Sequence, residues 1–125
     1  AFGHGLSYTR FDYSRLRVAG GDSLEVSFDI TNRGKRAGAD VPQLYVAPRD
    51  GGRPLRLAGF ERVTLRPGQT RRVTLTAEPR VIADYDVAGE SYRIAPGVWR
   101  VSVARDAAQP VLTGTTELRE RRLAP

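Results

Sequence analysis

Cysteine is absent from the 125 residues. That excludes a disulfide framework and any thiolate metal site, and it leaves the redox compartment unread. Histidine occurs once, as His4 in a glycine-flanked leading segment. One imidazole cannot build a multi-histidine metal site, and it leaves a Ser-His-Asp arrangement a single base, so His4 is read as structural. No apolar run reaches the roughly 18 to 20 residues that cross a bilayer as a helix. The first residues lack the basic-then-apolar pattern of a secretory signal; if the parent protein is exported, its signal is expected upstream of Ala1. Helical periodicity is missing throughout, which argues against a helical or mostly parallel fold. No glycine-rich phosphate loop is present, and Asn32 is followed by Arg-Gly, so it is not a glycosylation acceptor.

Charge of one sign is in excess. The formal net charge is +6 and the pI about 10.5, a balance that can favour phosphates. The distribution speaks against nucleic acid. Arginines are scattered through nearly every segment beside apolar residues, the only Arg-Arg pairs are Arg71-Arg72 and Arg121-Arg122, and Lys35 is the sole lysine. No aromatic and basic stacking platform is formed. The arginines are read as filling solvent faces.

What is present is a period of two. Leu24, Val26, Phe28 and Ile30 alternate with Glu25, Ser27, Asp29 and Thr31, the pattern of a strand buried on one face. Further strands are expected at 10–18, 41–47, 58–65, 71–77, 97–104 and 111–118, with a short one near "VIADYD". Turn signals separate them: "AGGD", "NRGKRAG", "PRDGGRP", "RPGQ" and "APG". Seven or eight such strands predict an all-β, antiparallel sandwich, in which two half-buried sheets cover each other's apolar faces; the turns Pro67-Gly68 and Pro96-Gly97 that open strands resemble those of immunoglobulin-like/fibronectin type III-like sandwiches. Trp99 is in phase with Val101 and Val103 and is expected to fill the core rather than stack on a sugar.

Candidate chemistry is sparse. Asp84, Asp86 and Glu90 in "DYDVAGE" are the best carboxylate group, with Asp84 and Asp86 on one face of an extended segment. Paired carboxylates can hydrolyse glycosides, but a small sandwich lacks the deep pocket that would raise one pKa, and a solvated strand end explains them. A calcium loop would need more oxygen ligands than this stretch supplies. Ser7 and Ser14 have no base nearby. Neither a metal nor a cofactor is expected.

The order of motifs says more than any one of them. "FGHGLSYTRFDYS", "VSFDITNRGKRAGADVPQLYV", "RPLRLAGFERVTLRPGQTRRVTLT" and "DYD…APGVWRVSV" follow one another across nearly the whole chain. This series resembles the C-terminal fibronectin type III-like domain of family 3 glycoside hydrolases, the β-glucosidases and β-xylosidases. "FGHGLSYT" is similar to the segment that connects the second catalytic domain of such enzymes to this third one. Pro42 and "RDAAQPV" depart from the pattern locally; within the expected strand 41–47 the missing N–H of Pro42 suits an edge or a bulge.

The resemblance implies a non-catalytic accessory domain that packs on the catalytic domains of its own parent chain, stabilises them and shapes the cleft rim. The nucleophilic Asp and acid/base Glu of such enzymes lie upstream of Ala1 on this reading, and no position here matches their motifs. Residues 1–9 are expected as an interdomain connection, with Phe2, His4, Leu6 and Tyr8 as its contacts, 10–119 as the sandwich and 120–125 as a tail. The alternative is a carbohydrate-binding module using Tyr45, Tyr85 and Tyr92. No membrane partner is expected, and the resemblance suggests a periplasmic or secreted parent, with the bacterial cytoplasm as the alternative.

Overall fold

A computed structural model describes residues 10–105 and 110–124. Within them the chain runs β1 (Phe11–Ala19), β2 (Glu25–Asn32), β3 (Gly38–Asp40), β4 (Gln43–Pro48), β5 (Arg56–Phe60), β6 (Val63–Leu65) and β7 (Thr70–Thr76). A helical turn α1 (Pro79–Ile82) precedes β8 (Asp84–Asp86), β9 (Ser91–Ile94), β10 (Gly97–Ala104), β11 (Pro110–Leu118) and β12 (Arg121–Leu123). Two main antiparallel sheets, β1-β2-β7 and β11-β10-β4-β5, make the sandwich, and two smaller antiparallel sheets, β12-β9-β8 and β3-β6, accompany them. The all-β sandwich is as the alternation predicts, with seven strands in its main sheets.

Each strand's apolar phase turns into the gap between the sheets. Val26, Phe28 and Ile30 of β2 and Val73 and Leu75 of β7 meet Leu44 and Val46 of β4 and Trp99, Val101 and Val103 of β10 in one buried cluster. Trp99 is 2% exposed, and its indole N–H donates to the Ala95 carbonyl at 2.9 Å, so both its ring and its polar atom are satisfied in the core. On one side the sheets touch directly. A Cβ on Gly114 of β11 would lie 3.4 Å from Val18 and 3.5 Å from Leu16 of β1, and one on Gly20 only 2.3 Å from the Thr116 hydroxyl.

Two local devices fix the β2–β7 end. Pro67-Gly68 forms a type II turn: Gly68 takes φ 78° and the Gln69 N–H donates to the Arg66 carbonyl at 3.0 Å. Asn32 is fully buried. Its amide nitrogen donates to the carbonyls of Arg36 at 2.8 Å and Leu65 at 3.1 Å, and its amide oxygen accepts from Gly34 N–H at 2.8 Å. One side chain thereby ties the β2–β3 loop to β6.

Boundaries shift where pairing partners change. The stretch 58–65, expected as one strand, is two, because β5 pairs with β4 while β6 pairs with β3. Pro42 stands just before β4 instead of inside it, so its missing N–H costs no ladder bond. "VIADYD" divides into α1, with Pro79 in the first turn and Glu78 as its cap, and β8. Arg121–Leu123, expected within a tail, pair with β9 as β12.

Candidate functional site

The small sheet β12-β9-β8 carries the densest chemistry. On β8, Asp84 and Asp86 flank Tyr85, and strand alternation sends the two carboxylates to one side. Each is met by guanidinium. Arg53 and Arg56 both bond Asp84, Arg56 at 2.8 Å. Arg122 of β12 donates to Asp86 at 2.9 Å and to the Ser91 hydroxyl at 3.0 Å, while Arg93 of β9 donates to Glu120. Asp84, Tyr85, Asp86, Arg93, Glu120 and Arg122 line a hollow of about 420 Å³.

These pairings decide what the carboxylates can do. The hydrogen bond from Arg122 holds Asp86 below its ordinary pKa, helped by the backbone N–H of Gly89. The bond from Arg93 does the same for Glu120. A general acid for glycoside cleavage needs its pKa raised so that it keeps a proton at neutral pH. Asp86 and Glu120 are shifted the opposite way, toward permanent charge. The arrangement is suited to clamping β12 onto β9 and β8. Among the described residues no group of three or more His, Cys, Asp or Glu side chains could hold a metal ion.

The three tyrosines singled out in the sequence fall at two places. Tyr85 and Tyr92 are cross-strand partners, with ring centroids 5.3 Å apart and planes at 74°, an edge-to-face pair that presents no common flat surface. The Arg80 guanidinium sits 5.8 Å from the Tyr92 ring. Tyr45 lies in the other part of the molecule, on the outer side of β4, where its hydroxyl donates to Gln43 at 2.6 Å. Phe2, His4, Leu6 and Tyr8 lie outside the described residues. Sequence reasoning passed over Arg53, Arg56, Arg93, Glu120 and Arg122, whose partners are 27 to 36 residues away. No local pattern marks such pairs.

Residues 40–107 match the fibronectin type III-like domain model, which spans more than half of the chain. The chain belongs to the fibronectin type III-like domain family, and its relatives define the version: the one carried by family 3 β-glucosidases. It is 35% identical over 134 residues to the thermostable β-glucosidase B of Acetivibrio thermocellus, covering 96% of this chain and 18% of that protein. A β-glucosidase of Rhizobium radiobacter is 39% identical over 113 residues, 85% of this chain and 14% of that protein. The fold superposes on β-glucosidase 3B of Thermotoga neapolitana, solved in complex with glucose, with a TM-score of 0.81 and 34% identity over 94% of this chain and 17% of that one. The chain thus spans less than a fifth of these enzymes.

Proposed function

We propose that this domain is a non-catalytic accessory part of a family 3 glycoside hydrolase whose whole acts on β-linked glucosides or xylosides. It packs on the catalytic domains of its own chain, stabilises them and shapes the rim of their cleft, with Phe2, His4, Leu6 and Tyr8 contributing to the contact. The observation that carries this reading is the coverage: nearly all of this chain aligns with a small share of enzymes named β-glucosidase. The direction of the pKa shifts at Asp86 and Glu120 supports it, since neither group is tuned as a proton donor.

The test compares the enzyme that contains this domain with the same enzyme lacking it, and with the 125-residue chain alone. The chain alone should leave aryl-β-glucosides and aryl-β-xylosides at the blank rate, and removing the domain should lower the enzyme's melting temperature and its turnover. Hydrolysis by the chain that survives repurification and disappears in Asp84→Asn or Asp86→Asn would overturn the non-catalytic reading. If removal left melting and turnover on soluble substrates intact and abolished only retention on insoluble β-glucan, the domain would be a carbohydrate-binding module instead.

A further inference from the structure

The outer side of β11-β10-β4-β5 is unlike a solvent face. Cross-strand register puts Pro110, Ala104, Gln43 and Phe60 in one row, Thr113, Ser102, Tyr45 and Leu57 in the next, and Thr115, Arg100 and Ala47 in a third. Arg100 is the sole charged side chain in these rows. Phe60 is 65% exposed, Leu57 42% and Leu55, just before β5, 40%. The edge strand β5 and the residue before it therefore present three large apolar side chains to water, an arrangement that marks interaction surfaces. Long apolar sheet edges are otherwise blunted with charge or covered.

Arg100 supplies the second, independent observation. Its Nη2 donates to the Arg53 carbonyl at 2.8 Å, but its Nε is buried without a hydrogen-bond partner among the described residues. Buried donors of a charged group are almost always paired in a complete structure. Arg100 lines a hollow of about 380 Å³ with Leu55, Ser102, Pro110, Thr113 and Thr115, so an acceptor brought from outside could reach this corner of the face.

We infer that this face is the surface on which the catalytic body of the parent enzyme docks, with apolar side chains over Leu55, Leu57 and Phe60 and a carboxylate directed at Arg100. The occupant follows from coverage and charge. More than four-fifths of each relative lies outside the aligned domain, enough to cover a whole sheet face, and the one cation in the three rows calls for one anion. The inference rests on the accessory reading above and adds which side of the sandwich is used.

Hydroxyl-radical footprinting of side chains tests it without any variant that could fail to fold. Leu55, Leu57 and Phe60 should be labelled in the 125-residue chain and their labelling should fall about fivefold or more in the intact enzyme, as burial removes them from water, while Val87, 79% exposed in the turn after β8, keeps its labelling. Protection confined to another surface would sink the face assignment and leave the accessory reading standing. Equal labelling everywhere in both would sink the two together. In the enzyme, Leu57→Ser should lower the temperature at which this domain separates and leave the melting of the 125-residue chain nearly unchanged; Arg100→Gln, which also removes the bond to the Arg53 carbonyl, should lower the separation temperature by more than it lowers the melting of the chain alone. Two other occupants are read out on the chain alone: self-association abolished by Leu57→Ser, or protection of Leu57 by soluble β-glucan, either of which, with labelling undiminished in the enzyme, overturns the inference.

Discussion

The two outer faces of this sandwich differ in whether they are complete on their own. On β1-β2-β7, cross-strand rows bring together Asp12, Thr31 and Thr70; Ser14, Asp29 and Arg72; and Arg17, Ser27 and Thr74. Apart from the exposed Arg17, the charges in these rows are answered locally. Arg72 donates to Asp29 at 3.1 Å, to Ser27 at 3.2 Å and to the Arg15 carbonyl at 3.0 Å, and Arg15 approaches Asp29 at 3.5 Å. Across the core, the outer side of β11-β10-β4-β5 offers leucines, a phenylalanine and an arginine whose Nε has no partner among the described residues. Sheets of one fold and one core thus show opposite treatment of solvent. A face whose polar groups bond one another is finished in water; a face with exposed apolar side chains and an unanswered donor is finished by something else.

The largest expected effect lies beneath both faces. Trp99 packs between the sheets, so Trp99→Ala should cost about 3 to 5 kcal/mol, a large part of a small domain's stability. Thermal or denaturant unfolding of the 125-residue chain measures it. A variant that melts like the parent protein would mean that the two sheets do not share a core, and the comparison of their outer sides would lose its basis. Asn32→Ala should come next, at about 2 to 4 kcal/mol, because it strips bonds from the carbonyls of Arg36 and Leu65 and from Gly34 N–H and leaves buried groups unpaired. Asn32→Asp should not rescue it, since a carboxylate cannot donate to two carbonyls.

Much of this was legible in the sequence, and the reason is local. The period of two in "LEVSFDIT" and "GVWRVSV" states which side chains face the core, and the "RPGQ" turn states where the chain reverses. Trp99 was assigned correctly from its phase alone. What stayed illegible depends on pairing across the sheets. Asn32 reads as an ordinary turn residue until β6 is placed beside it. Leu55 and Leu57 fall between the "PRDGGRP" turn signal and the strand expected at 58–65, although their spacing of two is an available signal. Whether an apolar row faces the other sheet or the outside depends on the partner strand. Only the register of β4 and β10 shows that Leu57 shares a side with Tyr45 and Ser102 and not with Leu44 and Val103.

Smaller effects separate the faces themselves. Asp29→Ala, which removes the shared partner of Arg15 and Arg72, should destabilise the 125-residue chain by about 1 kcal/mol, less at high salt. Leu57→Ser should change the same chain by no more than about 0.5 kcal/mol, as surface substitutions usually do. Denaturant midpoints at low and high salt report both. If Leu57→Ser cost as much as a core truncation, the apolar face would be doing its packing within this domain, and no outside occupant would be needed to explain it.

The smallest expected effect is local and comes from acid. Asp86 and Glu120 have pKa values held below the ordinary carboxylate range by Arg122 and Arg93. A depressed folded-state pKa means that the unfolded chain takes up protons first on acidification. The contribution of these pairs is therefore present above the ordinary range and is lost as pH falls through the lower folded values. Both carboxylates are at the surface, so the consequence is confined to what they clamp: β12 should loosen from β9. Amide protection factors at Arg121–Leu123 should decline as the pH is taken down through and below the ordinary carboxylate range, while those of β10, whose cross-strand contacts in the core are apolar, persist. Arg122→Gln should produce the same loosening at neutral pH. Were β12 protection flat across that range, these ion pairs would be ornaments of the surface, and the short strand would be held by its backbone bonds and Leu123 alone.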